Sequence, residues 1–195
     1  MRHSVNKRNV KIVMQVVAII LMGMAIYDYV LEEINRINMK ELFLESIIWK
    51  LYFILALFGG LVWLFYLMTG KKQIEVSAHI ILVFCLICRV TYFVDSCCFW
   101  GEVPAYTVFI FGFPSTVALL TEINLLIACK KRAAINQTLV LLNIVIVSAI
   151  AICCSIMAIS DIIKGLDGYW SSLFYVGITG TLLNIDVENF KGEEL

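Results

Sequence analysis

The fold class predicted here is an all-α, polytopic integral membrane helix bundle with a cytoplasmic N-terminus. It has six transmembrane helices, or five if the last apolar run does not span. Three observations predict it. Five long apolar runs and a shorter sixth fill the 195 residues. The chain is 62% hydrophobic and 15% charged, with a mean hydropathy of +0.93, whereas ordinary soluble domains hold roughly 45–50% apolar and about 25% charged residues. Finally, the loops alternate basic, acidic, basic, acidic, basic, a sorting that polytopic membrane proteins show and soluble domains have no reason to adopt.

A spanning helix needs about 20 mainly apolar residues. The first run, about 10–30, follows a basic leader of Arg2, Lys7, Arg8 and Lys11. Its basic start and Gly23-Met-Ala25 resemble a signal peptide with a small-residue cleavage site, but the run is long enough to span and is read as a retained helix. Residues 31–46 mix Glu32, Glu33, Glu41 and Glu45 with Ile34, Ile37 and Leu42, which suits a helical extension or a short interfacial helix. The next spans are 47–69, 77–99, 105–129 and 138–160. The sixth, 169–185, contains Gly177 and Gly180 and is the weakest signal. Pro114 is expected to kink the fourth span by freeing a carbonyl near Ile110. Without repeats, low-complexity tracts or linkers, the whole of 1–195 reads as one domain.

Orientation follows from the basic residues. With the N-terminus inside, ten of the fifteen Lys and Arg fall on the cytoplasmic side: the leader four, Lys71, Lys72, Lys130, Lys131, Arg132 and Lys191. Arg36, Lys40, Lys50 and Lys164 fall outside, and Arg89 lies within a span. The positive-inside rule selects this arrangement. Aromatic residues agree, since Tyr27, Tyr29, Trp49, Tyr52, Trp100, Tyr106, Tyr169 and Trp170 fall at outer ends, where amphipathic rings favour the headgroup level.

Arg89 is the first candidate site residue. A mid-membrane arginine costs from about 2.5 to above 10 kcal/mol and therefore faces protein or water and takes a partner. Glu122 on the next span is the expected partner and Asp95 its rival. Thr121, Asn124, Asn143, Thr181 and Asn184 lie at similar depth. Arg89, Glu122, Asn124 and Asn143 thus form the candidate ligand or ion site, against the plainer reading of an ion pair with amides that fixes helix register.

Seven cysteines fall almost entirely within spans. Cys85-Leu-Ile-Cys88 has redox spacing but sits inside an apolar helix, where cysteine behaves as a small hydrophobe. A disulfide between Cys97 or Cys98 and Cys153 or Cys154 stays open. His3 and His79 have no neighbours at metal-ligand spacing, so neither a metal site nor another cofactor is expected. No nucleophile elbow, phosphate loop or pair of catalytic acids occurs, and the expectation is a protein that is not an enzyme. Asn136-Gln-Thr138 is a glycosylation sequon on the cytoplasmic side, and the ending Gly-Glu-Glu-Leu resembles a retention signal that also faces the wrong way. Small residues at four-residue spacing permit close helix approach: Ala56 with Gly60, the stripe Ser148, Ala151, Ser155 and Ala158, and Gly177 with Thr181.

His79, Arg89 ten residues later, and Phe113-Pro114 in the next span are similar to the plant seven-helix family that supports tobamovirus multiplication. The likeness covers about a quarter of the chain, which departs from that family by one helix too many in front and too few behind, and no residue roles are carried over. The expected function is an accessory or structural subunit of a larger membrane complex. A small transporter or channel component using Arg89 and Glu122 is the alternative, and a receptor the third reading. The expected partners are the lipid bilayer and other membrane subunits or a second copy. Zero net charge argues against nucleic acid.

Overall fold

A computed structural model of the chain describes residues 2–36, 44–99, 112–131, 133–165 and 169–190, with side chains described outside 2–7, 32–46 and 95–99. Among the described residues the secondary structure is entirely helical. The six helices are α1 (Arg2–Arg36), α2 (Leu44–Thr69), α3 (Lys72–Phe99), α4 (Phe113–Lys131), α5 (Gln137–Lys164) and α6 (Tyr169–Asn189). The first five are long and apolar enough to cross a membrane. The protein is a multi-pass helical membrane protein.

The helices alternate in direction. Each packs against its sequence neighbours, and α6 returns to pack along α1 and closes the ring. Short loops enforce this order, because two helices joined by a tight turn have little choice but to lie antiparallel. The α2–α3 turn shows how. Gly70 adopts φ 67°, the left-handed conformation that terminates a helix and favours glycine, and its N–H bonds the Tyr66 carbonyl at 2.7 Å. At the start of α5 the Asn136 side chain accepts the Leu139 N–H at 3.1 Å, so the sequon asparagine is a helix cap.

One end of the bundle is basic, carrying Arg8, Lys11, Lys71, Lys72, Lys130 and Lys131. Two of these also hold helices together. Arg8 donates to the Leu67 carbonyl at 2.8 Å and the Met68 carbonyl at 2.6 Å, satisfying carbonyls at the end of α2 that have no partner within their own helix. Lys11 pairs with Glu188 and ties α1 to α6. At the opposite end Tyr29, Trp49, Phe53 and Trp170 form a connected set of ring contacts, with centroids 4.9 to 6.1 Å apart.

The sixth helix, the weakest expectation, is not among those five candidate spans, yet it lies along α1. Trp170 meets Tyr29 at one end of α6 and Glu188 meets Lys11 at the other, so α6 accompanies α1 across its apolar length. Lys11 to Tyr29 is about 27 Å of helix, close to the thickness of a hydrocarbon core of about 30 Å. Helix α6 falls short of the other five as a membrane span for a physical reason. Ten of its residues are buried, among them Ser172, Thr179, Thr181, Asn184 and Asp186, so its polar groups face protein and need no lipid compatibility.

Other boundaries shift. Helix α3 begins at Lys72 where the apolar run begins at 77, and α1 continues to Arg36, as a helical extension would. The described part of α4 opens at Phe113 with Pro114 in its first turn, so the expected kink and residues 105–111 lie outside the described residues. The small-residue pairs Ala56–Gly60 and Gly177–Thr181 fall within the packed interior. In the α5 stripe only Ala158 is buried.

Candidate functional site

The buried side chains are sorted into three layers along the bundle axis. Towards the opposite end lies an apolar cluster containing Met22, Ala56, Leu86, Ala118, Val147 and Leu182. Towards the basic end lies another, containing Trp63, Leu67, Ala78, Leu125, Val140 and Ile185. Between them all six helices contribute to a polar layer: Gln15 from α1, the Gly60 carbonyl from α2, His79, Glu122, Asn143, and Thr181, Asn184 and Asp186 from α6. Helical periodicity builds the sandwich. Glu122 is one turn from Ala118, Asn143 one turn from Val147, and Asp186 one turn from Leu182, so each polar residue shares the inward face of the apolar residue above it.

The layer has two halves. In the first, Gln15 Nε2 donates to the Gly60 carbonyl and to Thr181 Oγ1, both at 3.0 Å. Asn184 Nδ2 donates to the Lys11 carbonyl at 2.8 Å and to Gln15 Oε1 at 3.2 Å. This network joins α1, α2 and α6. In the second half His79 Nδ1 and Glu122 Oε2 are 2.7 Å apart, with side chains 1% and 0% exposed. Asn143 Nδ2 donates to Asp186 Oδ2 at 2.8 Å, again with both residues fully buried. The two pairs are both buried in the same layer.

Several atoms of this layer have no hydrogen-bond partner: His79 Nε2, Glu122 Oε1, Asn143 Oδ1, Asp186 Oδ1, Asn184 Oδ1 and, 5.7 Å from the His79 ring at centroid distance, the Trp63 indole N–H. Leaving a buried polar group unpaired costs about 1–3 kcal/mol. So many together in one layer mark a place where something polar belongs.

The predicted Arg89–Glu122 pair is not formed. Glu122 is engaged by His79, and the reason is axial distance. Because α3 starts at Lys72, Arg89 lies about 25 Å from its basic end, while Glu122 lies about 13 Å from that of α4 and His79 about 10 Å from that of α3. Counting from residue 77 hides that separation. Arg89 instead sits among rings, its guanidinium carbon 5.1 Å from the Trp49 and Tyr175 centroids and 5.8 and 5.9 Å from those of Tyr52 and Tyr92. Cation–π attraction of about 0.5–2 kcal/mol per good contact stabilises a cation at such a position. The side chain of the rival partner Asp95 lies outside the described residues.

Arg89 also borders a cavity of about 40 Å³ with Tyr52, Pro114, Ser115, Tyr175 and Thr179, room for about three waters. Leu86, Ala118, Val147 and Leu182 line the same cavity, so its floor is the apolar cluster one turn above Glu122 and Asp186.

Of the sequence-derived site residues, the structure brings Glu122 and Asn143 into one layer and sets Arg89 and Asn124 apart. Asn124 is half-buried and its Oδ1 accepts the Asn136 backbone N–H at 3.1 Å, which makes it an anchor for the α4–α5 loop. His79, Asp186, Gln15 and Trp63 were the residues missed. His79 and Gln15 stood in plain view inside apolar runs, where any polar residue is a candidate. Asp186 lies one residue beyond the end of the sixth apolar run. No three His, Cys, Asp or Glu side chains converge as a metal site among the described residues. Cys85, Cys88, Cys129, Cys153 and Cys154 are free thiols, and the side chains of Cys97 and Cys98 lie outside the described residues.

Compared with protein-family models, with curated proteins and with solved structures, the chain matches none of them. The likeness to the tobamovirus-multiplication family is therefore not carried further.

Proposed function

We propose that the protein is a small membrane transporter or channel component that passes a small polar solute through the polar layer. The observation that supports this is the set of fully buried, unpaired polar atoms on His79, Glu122, Asn143 and Asp186, enclosed between two apolar clusters. Ionisable residues inside a membrane are expensive, and where they persist they mark substrate, ion or proton pathways. The cavity beneath Arg89 gives an approach from the opposite end, closed from the layer by about one helical turn of apolar side chains. On the basic side Leu67, Leu125 and Val140, with Ile135 and Phe190 packed against them, close the other approach. An occluded polar centre with a shallow plug on each side suits alternating access.

The test is solute flux in proteoliposomes, driven by a pH gradient or a membrane potential, for wild type and for Glu122→Gln and Asp186→Asn. Flux that falls at least tenfold in both variants, with protein yield retained, supports the reading. Wild-type flux no higher than that of empty vesicles removes it.

A second reading, an accessory subunit, is favoured by α1 and α5. These keep broad apolar faces outside the bundle, Val13, Val17, Ile20 and Met24 on one and Ile152, Ile156, Ile159 and Ile163 on the other. Such faces serve lipid or a neighbouring membrane protein. Native mass spectrometry from mild detergent decides: a monodisperse single chain argues against it, and a stable co-purifying subunit argues for it.

A further inference from the structure

We infer that the polar layer binds one monovalent cation, an alkali ion or a proton, on Asp186 with help from Asn143 and Glu122. The inference rests on the transport reading above and names the class of solute that the site takes.

Charge is the first argument. His79 Nδ1 and Glu122 Oε2 are 2.7 Å apart, so the Glu122 carboxyl already has an imidazole as its partner. The other acidic group buried in the layer is the Asp186 carboxyl, which Asn143 meets with a neutral amide. The other buried groups of the layer on α1, α2 and α5 bring no compensating charge: Gln15, Trp63 and Asn143 are neutral. Glu75 stands one turn towards the basic end on α3, half-buried, and Lys11 is taken up by Glu188 at the rim. An ionised Asp186 in such a low-dielectric layer needs one positive charge beside it, a proton or an alkali ion. A divalent ion overshoots it.

Donor chemistry is the second argument. Glu122 Oε1, Asn143 Oδ1 and Asp186 Oδ1 are unpaired oxygens carried by three different helices, each side chain completely buried. Hard oxygen donors without thiolates or a cluster of imidazoles suit an alkali ion or a hydronium-like proton and not a transition metal. The Asn143 amide is oriented by its bond to Asp186, which leaves its carbonyl oxygen available within the layer.

The experiment uses the purified full-length protein in detergent or nanodiscs, with binding measured apart from transport. Melting temperature is recorded in NaCl, KCl and N-methyl-D-glucamine chloride at constant ionic strength, and proton uptake is recorded by titration in the organic-cation salt. A saturable rise in melting temperature with Na⁺ or K⁺ supports the alkali ion. No alkali effect, with one proton taken up that disappears in Asp186→Asn, supports the proton. For an alkali ion, Asp186→Asn and Glu122→Gln raise the half-saturating concentration at least tenfold. Asn143→Asp, which adds a charge and keeps an oxygen ligand, shifts preference towards Ca²⁺. The inference is overturned if wild-type protein shows neither response, or if Ca²⁺ or Mg²⁺ stabilises it more than any monovalent ion. The wild-type salt series decides by itself should the variants fail to accumulate. Binding without flux would sink the transport reading and leave the cation site standing. Flux without binding would do the reverse.

Discussion

At Gly177 the α6 backbone lies close against that of α1, and Gly177→Ala measures how much of the bundle depends on that approach. A Cβ added there would lie 2.5 Å from Met22 Cγ, 2.7 Å from the Ala18 carbonyl oxygen and 3.1 Å from the Met22 backbone nitrogen. Two of those three atoms are main chain, so no rotamer change relieves the clash and α1 must move bodily. Over-packing of this kind costs about 1–3 kcal/mol. Replacing a helical glycine with alanine otherwise gains about 1 kcal/mol, so the control is Gly23→Ala, where an added Cβ meets nothing within 4 Å. The difference between the two variants isolates the clash. For a chain of this size about 1 kcal/mol shifts the melting temperature by roughly 2–4 °C. Thermal unfolding in detergent should therefore place Gly177→Ala about 2–12 °C below Gly23→Ala. If the two variants melt together, α1 and α6 do not approach as described, and the network that hangs Gln15 on Thr181 and Asn184 loses its scaffold.

Three further outcomes follow from the same geometry. His79→Ala should cost about 3–5 kcal/mol by leaving Glu122 buried without its partner, and His79→Met combined with Glu122→Leu should recover most of that loss in detergent unfolding; a double variant as unstable as the sum of the singles would refute the pairing. Arg89→Met removes the cation from among Trp49, Tyr52, Tyr92 and Tyr175, so it should cost about 1–2 kcal/mol and weaken the near-ultraviolet circular dichroism of those rings; an unchanged spectrum would place Arg89 elsewhere. In intact cells a membrane-impermeant amine reagent should modify Lys164 and spare Lys71, Lys72, Lys130 and Lys131, as read by peptide mass spectrometry, and the opposite pattern would invert the orientation.

The sequence by itself determined the solvent, the helices and their order. Apolar runs of about 20 residues have one stable form in lipid, because every backbone polar group must be satisfied within the segment. Short loops then force neighbours to alternate, and the basic residues gather at one end because the loops that carry them do. Glu122 and Asn143 were legible as site residues for the same reason, since a polar group in an apolar run stands out by its cost.

Which polar groups meet was decided only in three dimensions. Partnership depends on axial height and on the face each helix turns inward, and an error of five residues in where α3 begins moves a side chain by about 7.5 Å. That offset is why Glu122 meets His79 while Arg89 finds aromatic rings a further two to three turns along α3. Composition likewise misjudged α6. A helix shielded by its neighbours carries Asn184 and Asp186 away from lipid, and only the closed ring of helices shows that it is shielded. Burial is a property of the assembled bundle, and no single segment's hydropathy contains it.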